Sequence, residues 1–177
     1  MILRLKKLMN LLRFYSKANK PAKEIPLKIE LEERIARSVY SPINLHRKKK
    51  TLLSNTFRTP SGIDEVSVNR LDLTSADFCK KVSKKNEHKG VRSYFGFAIL
   101  NHHEILSAVC KLVYTPILKP KEDFNPFHSD IKVGFTPVKG EPLPAEIAQK
   151  IDILTQRARF YLDNNPDSER WTGDQLA

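Results

Sequence analysis

The sequence predicts an α+β fold, with a mainly antiparallel sheet of about four strands packed by a C-terminal amphipathic helix and one or two shorter helices. Three observations carry this reading. In Val66-Ser67-Val68-Asn69-Arg70-Leu71 apolar and polar residues mostly alternate, which sets Val66, Val68 and Leu71 toward a core and Ser67 and Asn69 away from it. Residues 94–100, YFGFAIL, form a nearly unbroken apolar run expected of a strand buried on both faces. Ile147, Ile151, Leu154, Ala158 and Tyr161 recur at steps of four and three, one apolar face of a helix from Pro144 to about Leu162.

Three regions are expected: residues 1–26 as a basic amphipathic segment and linker, 27–166 as a single α+β domain, and 167–177 as a polar tail. In residues 1–15, Leu5, Leu8, Met9 and Leu12 fall at helical spacing with Arg4, Lys7 and Arg13 near the other side. Charges interrupt every apolar run there, so a transmembrane helix is excluded. The segment reads as an organelle presequence, with Arg13 three residues before Ser16, as a surface helix for a membrane or nucleic acid, or as a dock for a protein partner. Pro21 and Pro26 mark the linker.

Leu27, Leu31, Ile35 and Val39 stand at successive steps of four, so a helix is expected over 28–39 and ended by Ser41-Pro42. Thr59-Pro60-Ser61-Gly62 is turn chemistry ahead of the 66–71 strand. Thr74-Ser75-Ala76-Asp77 resembles a capping box opening a short helix to about residue 84. Asn101 to Glu104 would be a turn and Ile105 to Tyr114 the antiparallel partner of 94–100. A proline-bracketed loop then leads to a strand at 131–135. Trp171 is either a cap over the core or an exposed anchor for a partner.

Hydrophobic residues at 40% and charged residues at 29% describe a folded body rather than a disordered chain, and 177 residues suit one domain with a tail. The net charge of +11 is localised. Residues 1–23 hold seven basic side chains and no acid, and Arg47-Lys48-Lys49-Lys50 adds four. Setting those eleven apart from the 31 Lys and Arg leaves 20, matching the 20 Asp and Glu. The excess therefore lies in the first segment and one loop, a footprint for phosphate backbones or anionic surfaces; a solvated loop is the alternative. Lys80, Lys81, Lys84, Lys85, Lys89 and Arg92 form a further basic stretch answered locally by Glu87. Cys79 and Cys110 fit no disulfide framework or zinc spacing and read as reduced core residues of a cytoplasmic protein, or a mitochondrial one if residues 1–15 are a presequence.

Asn55, Thr56, Arg58, Ser67, Asn69 and Arg70 are candidates to line an anion pocket, with Arg58 or Arg70 as a fork-shaped donor. The same residues could satisfy backbone groups around an irregular turn. In Asn125-Pro126-Phe127-His128-Ser129-Asp130, His128 and Asp130 lie two apart and share a strand face, the spacing of a base with its orienting carboxylate; a histidine that locks a proline loop is the alternative. His102, His103 and Glu104 read as a polar turn rather than a metal site. No phosphate-binding glycine loop, nucleophile elbow, HExxH or dinucleotide fingerprint occurs, so ATP, NAD and common hydrolase chemistries fall and no cofactor is expected.

Tyr40-Ser41-Pro42, Ser54 to Pro60, Val66 to Arg70 and Asn125 to Ile131 together resemble a pattern in a group of small bacterial proteins, roughly S-P, S-x-A-F-x-P, L-S-V-x-R, N-P-x-H-A-x-I. The match spans about residues 40–133, with Thr56 and Ser129 standing where the pattern has alanine. That group has no established activity, so the resemblance implies no catalytic residue; it does weigh against an organelle presequence. The expected function is a non-enzymatic basic module that binds an anionic partner, nucleic acid or a nucleic-acid-containing complex, through Arg4, Lys6, Lys7, Arg13, Arg47, Lys48, Lys49, Lys50, Arg58, Arg70, Lys81, Lys84 and Lys85. A nuclease-like hydrolase or toxin using His128 and Asp130 is the second expectation, and a protein-interaction subunit docking through residues 1–15 or Trp171 the third.

Overall fold

The computed structural model describes residues 25–46, 48, 50–118 and 124–176. The expected N-terminal helix lies outside them, as do Arg4, Lys6, Lys7, Arg13, Arg47 and Lys49. The architecture is α+β. Eight strands are described: β1 (Arg34–Ser41), β2 (Leu45–His46), β3 (Thr51–Leu52), β4 (Val66–Arg70), β5 (Ser93–Asn101), β6 (Lys111–Tyr114), β7 (His128–Lys132) and β8 (Arg159–Leu162). The helices are α1 (Ala76–Lys85), α2 (His102–Ser107) and α3 (Ala145–Arg157). Six strands form one antiparallel sheet in the order β6-β7-β4-β1-β5-β8, two more than the sequence suggests, while β2 and β3 make a separate hairpin.

The largest correction is β1, where a helix was expected over 28–39. Apolar steps of four satisfy a strand period as well as a helical one, because four is a multiple of two. Ile35 and Val39 face one core and Ala36 and Tyr40 the other, so the segment is covered on both sides. Its β-branched residues suit that position. Leu27 and Leu31, which completed the helical pattern, are exposed at 81% and 55%.

Two further elements differ. Asn101 to Glu104 opens α2 rather than a turn, because the Glu104 carboxylate accepts the Asn101 N–H at 2.6 Å and so fixes a helix start. The strand after it is confined to β6, which pairs with β7 at the sheet edge and not with β5. The C-terminal helix ends at Arg157. Ala158 turns to an extended backbone (ψ 126°), and β8 then lies on β5. The close approach depends on Gly96, whose φ is 154° and where a Cβ would stand 2.1 Å from the Tyr161 carbonyl. For α1, the cap is Ser75, whose hydroxyl accepts the Phe78 N–H at 3.2 Å, one residue later than the sequence suggests.

One sheet face packs Val66, Val68, Ala98, Leu100 and Ile131 against Ile105 of α2 and Ile147, Ile151 and Leu154 of α3. The other packs Leu71, Tyr94, Phe97 and Ile99 against Cys79 of α1. This second face is closed by the C-terminal segment. Trp171 tilts over Phe97 with ring centroids 5.2 Å apart, and Leu176 is buried. Trp171 thus caps the core, and the segment expected as a polar tail packs on the domain. Among the described residues no helix is long and apolar enough to cross a membrane.

A buried ion pair fastens that closure. Lys80 Nζ lies 2.7 Å from Asp163 Oδ2, both side chains fully buried, and also donates to the carbonyls of Asn165 and Arg170 and to Ser168 Oγ. Removing one partner of such a pair strands the other charge, so Lys80→Ala is expected to cost about 3–5 kcal/mol. Urea denaturation of Lys80→Ala beside Lys80→Ala/Asp163→Ala checks this, the double variant recovering part of the loss.

Burial pushes the Cys79 thiol up to about 12 and the Cys110 thiol up to about 11. An aromatic disulfide reagent at pH 8 should therefore label neither cysteine in the folded chain and both after unfolding. Because the folded-state values are raised, their contribution to stability is complete below the unfolded thiol value of about 8.5 and is lost as pH rises toward the folded values. The denaturation midpoint should fall over that alkaline range and not below it.

Candidate anion-binding cleft

β1 and β4 share a ladder of two residue pairs, Ile35↔Arg70 and Ala36↔Asn69. Beyond these the strands part, β1 staying with β5 as far as Ser41 and β4 with β7 as far as Val66. The gap between them is a cleft of about 680 Å³, walled by β1, β4, the loops around Asn44 and Arg58, the end of α1, and Ile117, Asn125 and His128. At the end where the strands stay joined, the Arg70 guanidinium meets both Glu33 oxygens at 2.6 and 2.8 Å. At the open end, Arg37 Nη1 donates to the Ser67 carbonyl at 2.8 Å.

The lining is polar and cationic. Among the described residues Arg37, Arg58, Lys85 and Arg92 reach it, against one carboxylate, Glu65, which is bonded to Lys132 Nζ at 2.6 Å. Arg92 is held by its Nε donation to the Asn86 carbonyl and by stacking 5.2 Å over the Tyr40 ring. Arg58 is exposed on the loop and its guanidinium has no hydrogen bond or ion pair among the described residues. The Arg37 Nε is shielded from solvent and has no hydrogen-bond partner there either. Burial lowers the Arg37 pKa, an effect that Tyr40 and Asp130 oppose and Arg92 reinforces.

Five asparagines, Asn44, Asn55, Asn69, Asn86 and Asn125, belong to the lining. Asn125 Nδ2 donates to Asn69 Oδ1 at 2.6 Å, and Asn44 Oδ1 accepts the Tyr40 N–H at 3.1 Å, which fixes both walls; Asn55 stands at the rim. His128 also lines the cleft. Its Nδ1 lies 2.8 Å from the Thr115 carbonyl, while the Thr115 hydroxyl donates to Asp130 Oδ2 at 2.6 Å. His128 Nε2 and Asp130 Oδ1 are 3.8 Å apart, beyond a hydrogen bond. The two groups do share a face, but Thr115 joins them.

The expected pocket residues divide. Asn55, Arg58, Ser67, Asn69, Lys85 and His128 line the cleft. Arg70 does not, and the expectation that it binds an anion is corrected: it is fully buried, held by Glu33, the Lys28 and Pro26 carbonyls and the face of Tyr114. Thr56 is buried with its hydroxyl donating to the Leu53 and Asn44 carbonyls, a turn role. Lys84 pairs with Glu87 and Asp167, and Lys81 is exposed outside the cleft. Lys48 borders a neighbouring hollow with Pro42, Leu45 and Phe95, and Lys50 is exposed. His102 reaches the Ile29 carbonyl, His103 lies beside Glu32, and Glu104 pairs with Arg159.

Sequence reasoning missed Arg37 and Thr115, and named Arg92 only as part of the basic stretch from Lys80. An arginine inside the β1 apolar alternation was the available sign for Arg37, hidden by reading that stretch as a helix. Comparisons with protein-family models, with curated proteins and with solved structures find no match for the chain.

Thr115→Val should leave Asp130 with neither oxygen hydrogen-bonded in a buried site. A loss of about 1–3 kcal/mol is expected, read by chemical denaturation.

Proposed function

We propose that this chain is a small non-enzymatic binding module for an anionic, phosphate-bearing partner, nucleic acid first, acting in the cytoplasm. The observation that supports it is the cleft itself, where, among the described residues, four cationic side chains stand against one carboxylate already bonded to Lys132. Fork-shaped guanidinium donors suit phosphate oxygens, and the exposed Lys48, Lys50 and Lys81 extend the positive surface. The basic residues 1–23 would add contacts that neutralise further phosphates.

A second reading is a nuclease-like hydrolase. It is favoured by His128 facing the cleft with the buried Asp130 held beside it through Thr115. Turnover of a nucleic-acid substrate that survives His128→Ala would remove that reading. A third, docking of a protein partner through residues 1–15, is tested by whether a chain lacking residues 1–23 still retains the partner.

The primary test is binding of the full chain, and of a version starting at Ile25, to short duplex DNA, RNA and anionic vesicles across a salt series. Nucleic-acid affinity should fall by about 0.9 log unit per phosphate contact per decade of salt on duplex DNA, and the shorter chain should show the shallower slope. Binding to vesicles alone, or to none of the three, would overturn the proposal.

A further inference from the structure

The geometry points to a terminal phosphate as the group the cleft accepts: we infer that it seats the phosphomonoester of one nucleotide unit, free or at the end of a single strand, on Arg37. This rests on the reading of the chain as a binder of phosphate-bearing partners and names the part of the partner that the cleft takes.

Two cationic positions differ in depth. Arg58 stands exposed at the rim, where any polyanion can touch it. Arg37 stands between the parted strands, tied to the Ser67 carbonyl by one nitrogen while its Nε is shielded and has no hydrogen-bond partner among the described residues. The guanidinium is half-buried, and its shielded Nε forgoes water without gaining a partner among the described residues, a cost that an entering dianion offsets. Asp130, whose charge acts on Arg37, bonds Thr115 and not the guanidinium.

Shape selects among phosphates. An internal phosphodiester carries a sugar on both sides and lies along the outside of a duplex, so it meets Arg58 but cannot descend to Arg37. A phosphomonoester has one substituent and two negative charges, and can enter end-on. The volume, about 680 Å³, lies within the range of small-ligand sites and leaves room for a nucleoside above the phosphate. There the Asn55 amide and the Arg92 guanidinium offer hydrogen bonds and a planar surface to a base.

The test titrates the full chain with a single-stranded oligonucleotide phosphorylated at one end, the same strand unphosphorylated, a blunt unphosphorylated duplex, free nucleoside monophosphates and inorganic phosphate. The phosphorylated strand should bind about tenfold or more tightly than its unphosphorylated twin, and a nucleoside monophosphate more tightly than inorganic phosphate. Arg37→Gln should abolish the difference between the two strands. Arg58→Gln, on the exposed rim, should weaken both alike and keeps the test open if Arg37→Gln does not fold. Equal affinity for the two strands, or inorganic phosphate binding as tightly as a nucleotide, overturns the inference while leaving a general nucleic-acid binder standing. Binding of monophosphates with no binding of any strand or duplex sustains the cleft assignment and removes the nucleic-acid reading instead.

Discussion

The two-pair ladder between β1 and β4 is the constraint on which the candidate site depends. A sheet that joins at Ile35↔Arg70 and Ala36↔Asn69 and then divides must place something between its strands, since unpaired backbone cannot be left buried. Arg37 fills the opening from one side and lends a donor to the Ser67 carbonyl on the other. At the joined end, Arg70 and Glu33 hold the residues leading into β1 against the end of β4. Two arginines thus manage the same pair of strands, one neutralised by a carboxylate and one not. That difference separates a structural residue from a candidate ligand-binding one.

The faces of the sheet are finished differently. One is mostly apolar, with Arg70 and Ser129 as its buried polar residues, and lies under α2 and α3. The other is apolar beneath α1 and Trp171 but turns polar toward β4 and β7, where Ser67, Asn69, His128 and Asp130 replace hydrophobic residues. The polar half is organised: Asn125 bonds Asn69, and Thr115 bonds Asp130. Hydrogen-bonded side chains of this kind hold a concave surface open where an apolar one would collapse.

The α+β class and most elements were legible because their periods are unambiguous. β5 is too apolar to be anything but interior, β4 alternates cleanly, and the apolar face of α3 repeats at helical steps. β1 was not legible, since steps of four fit both periods and only its partners on each side decide between them. β8 was hidden because Ala158 and Tyr161 continue the helical spacing of α3, while the departure depends on a distant glycine in β5. For the cleft, the sequence singled out Asn55, Arg58, Ser67 and Asn69 from their density of hydrogen-bonding groups, and His128 from its spacing to Asp130. It could not separate Arg58 from Arg70, because that distinction is one of depth and of Glu33 lying 37 residues away in sequence. Thr115 was invisible for a similar reason: it meets His128 and Asp130 across the pairing of β6 with β7.

The ion pair between Lys80 and Asp163 also sets an order of assembly. During synthesis α1 leaves the ribosome more than eighty residues before Asp163 and Trp171, so the ammonium of Lys80 and the ring of Phe97 wait without their final neighbours while the middle of the chain is made. Local elements can form in that interval, but contacts of such long sequence separation close last. A nascent chain stalled before residue 159 would carry an aromatic surface and an unanswered charge on one side of its sheet, the kind of transient face that chaperones engage.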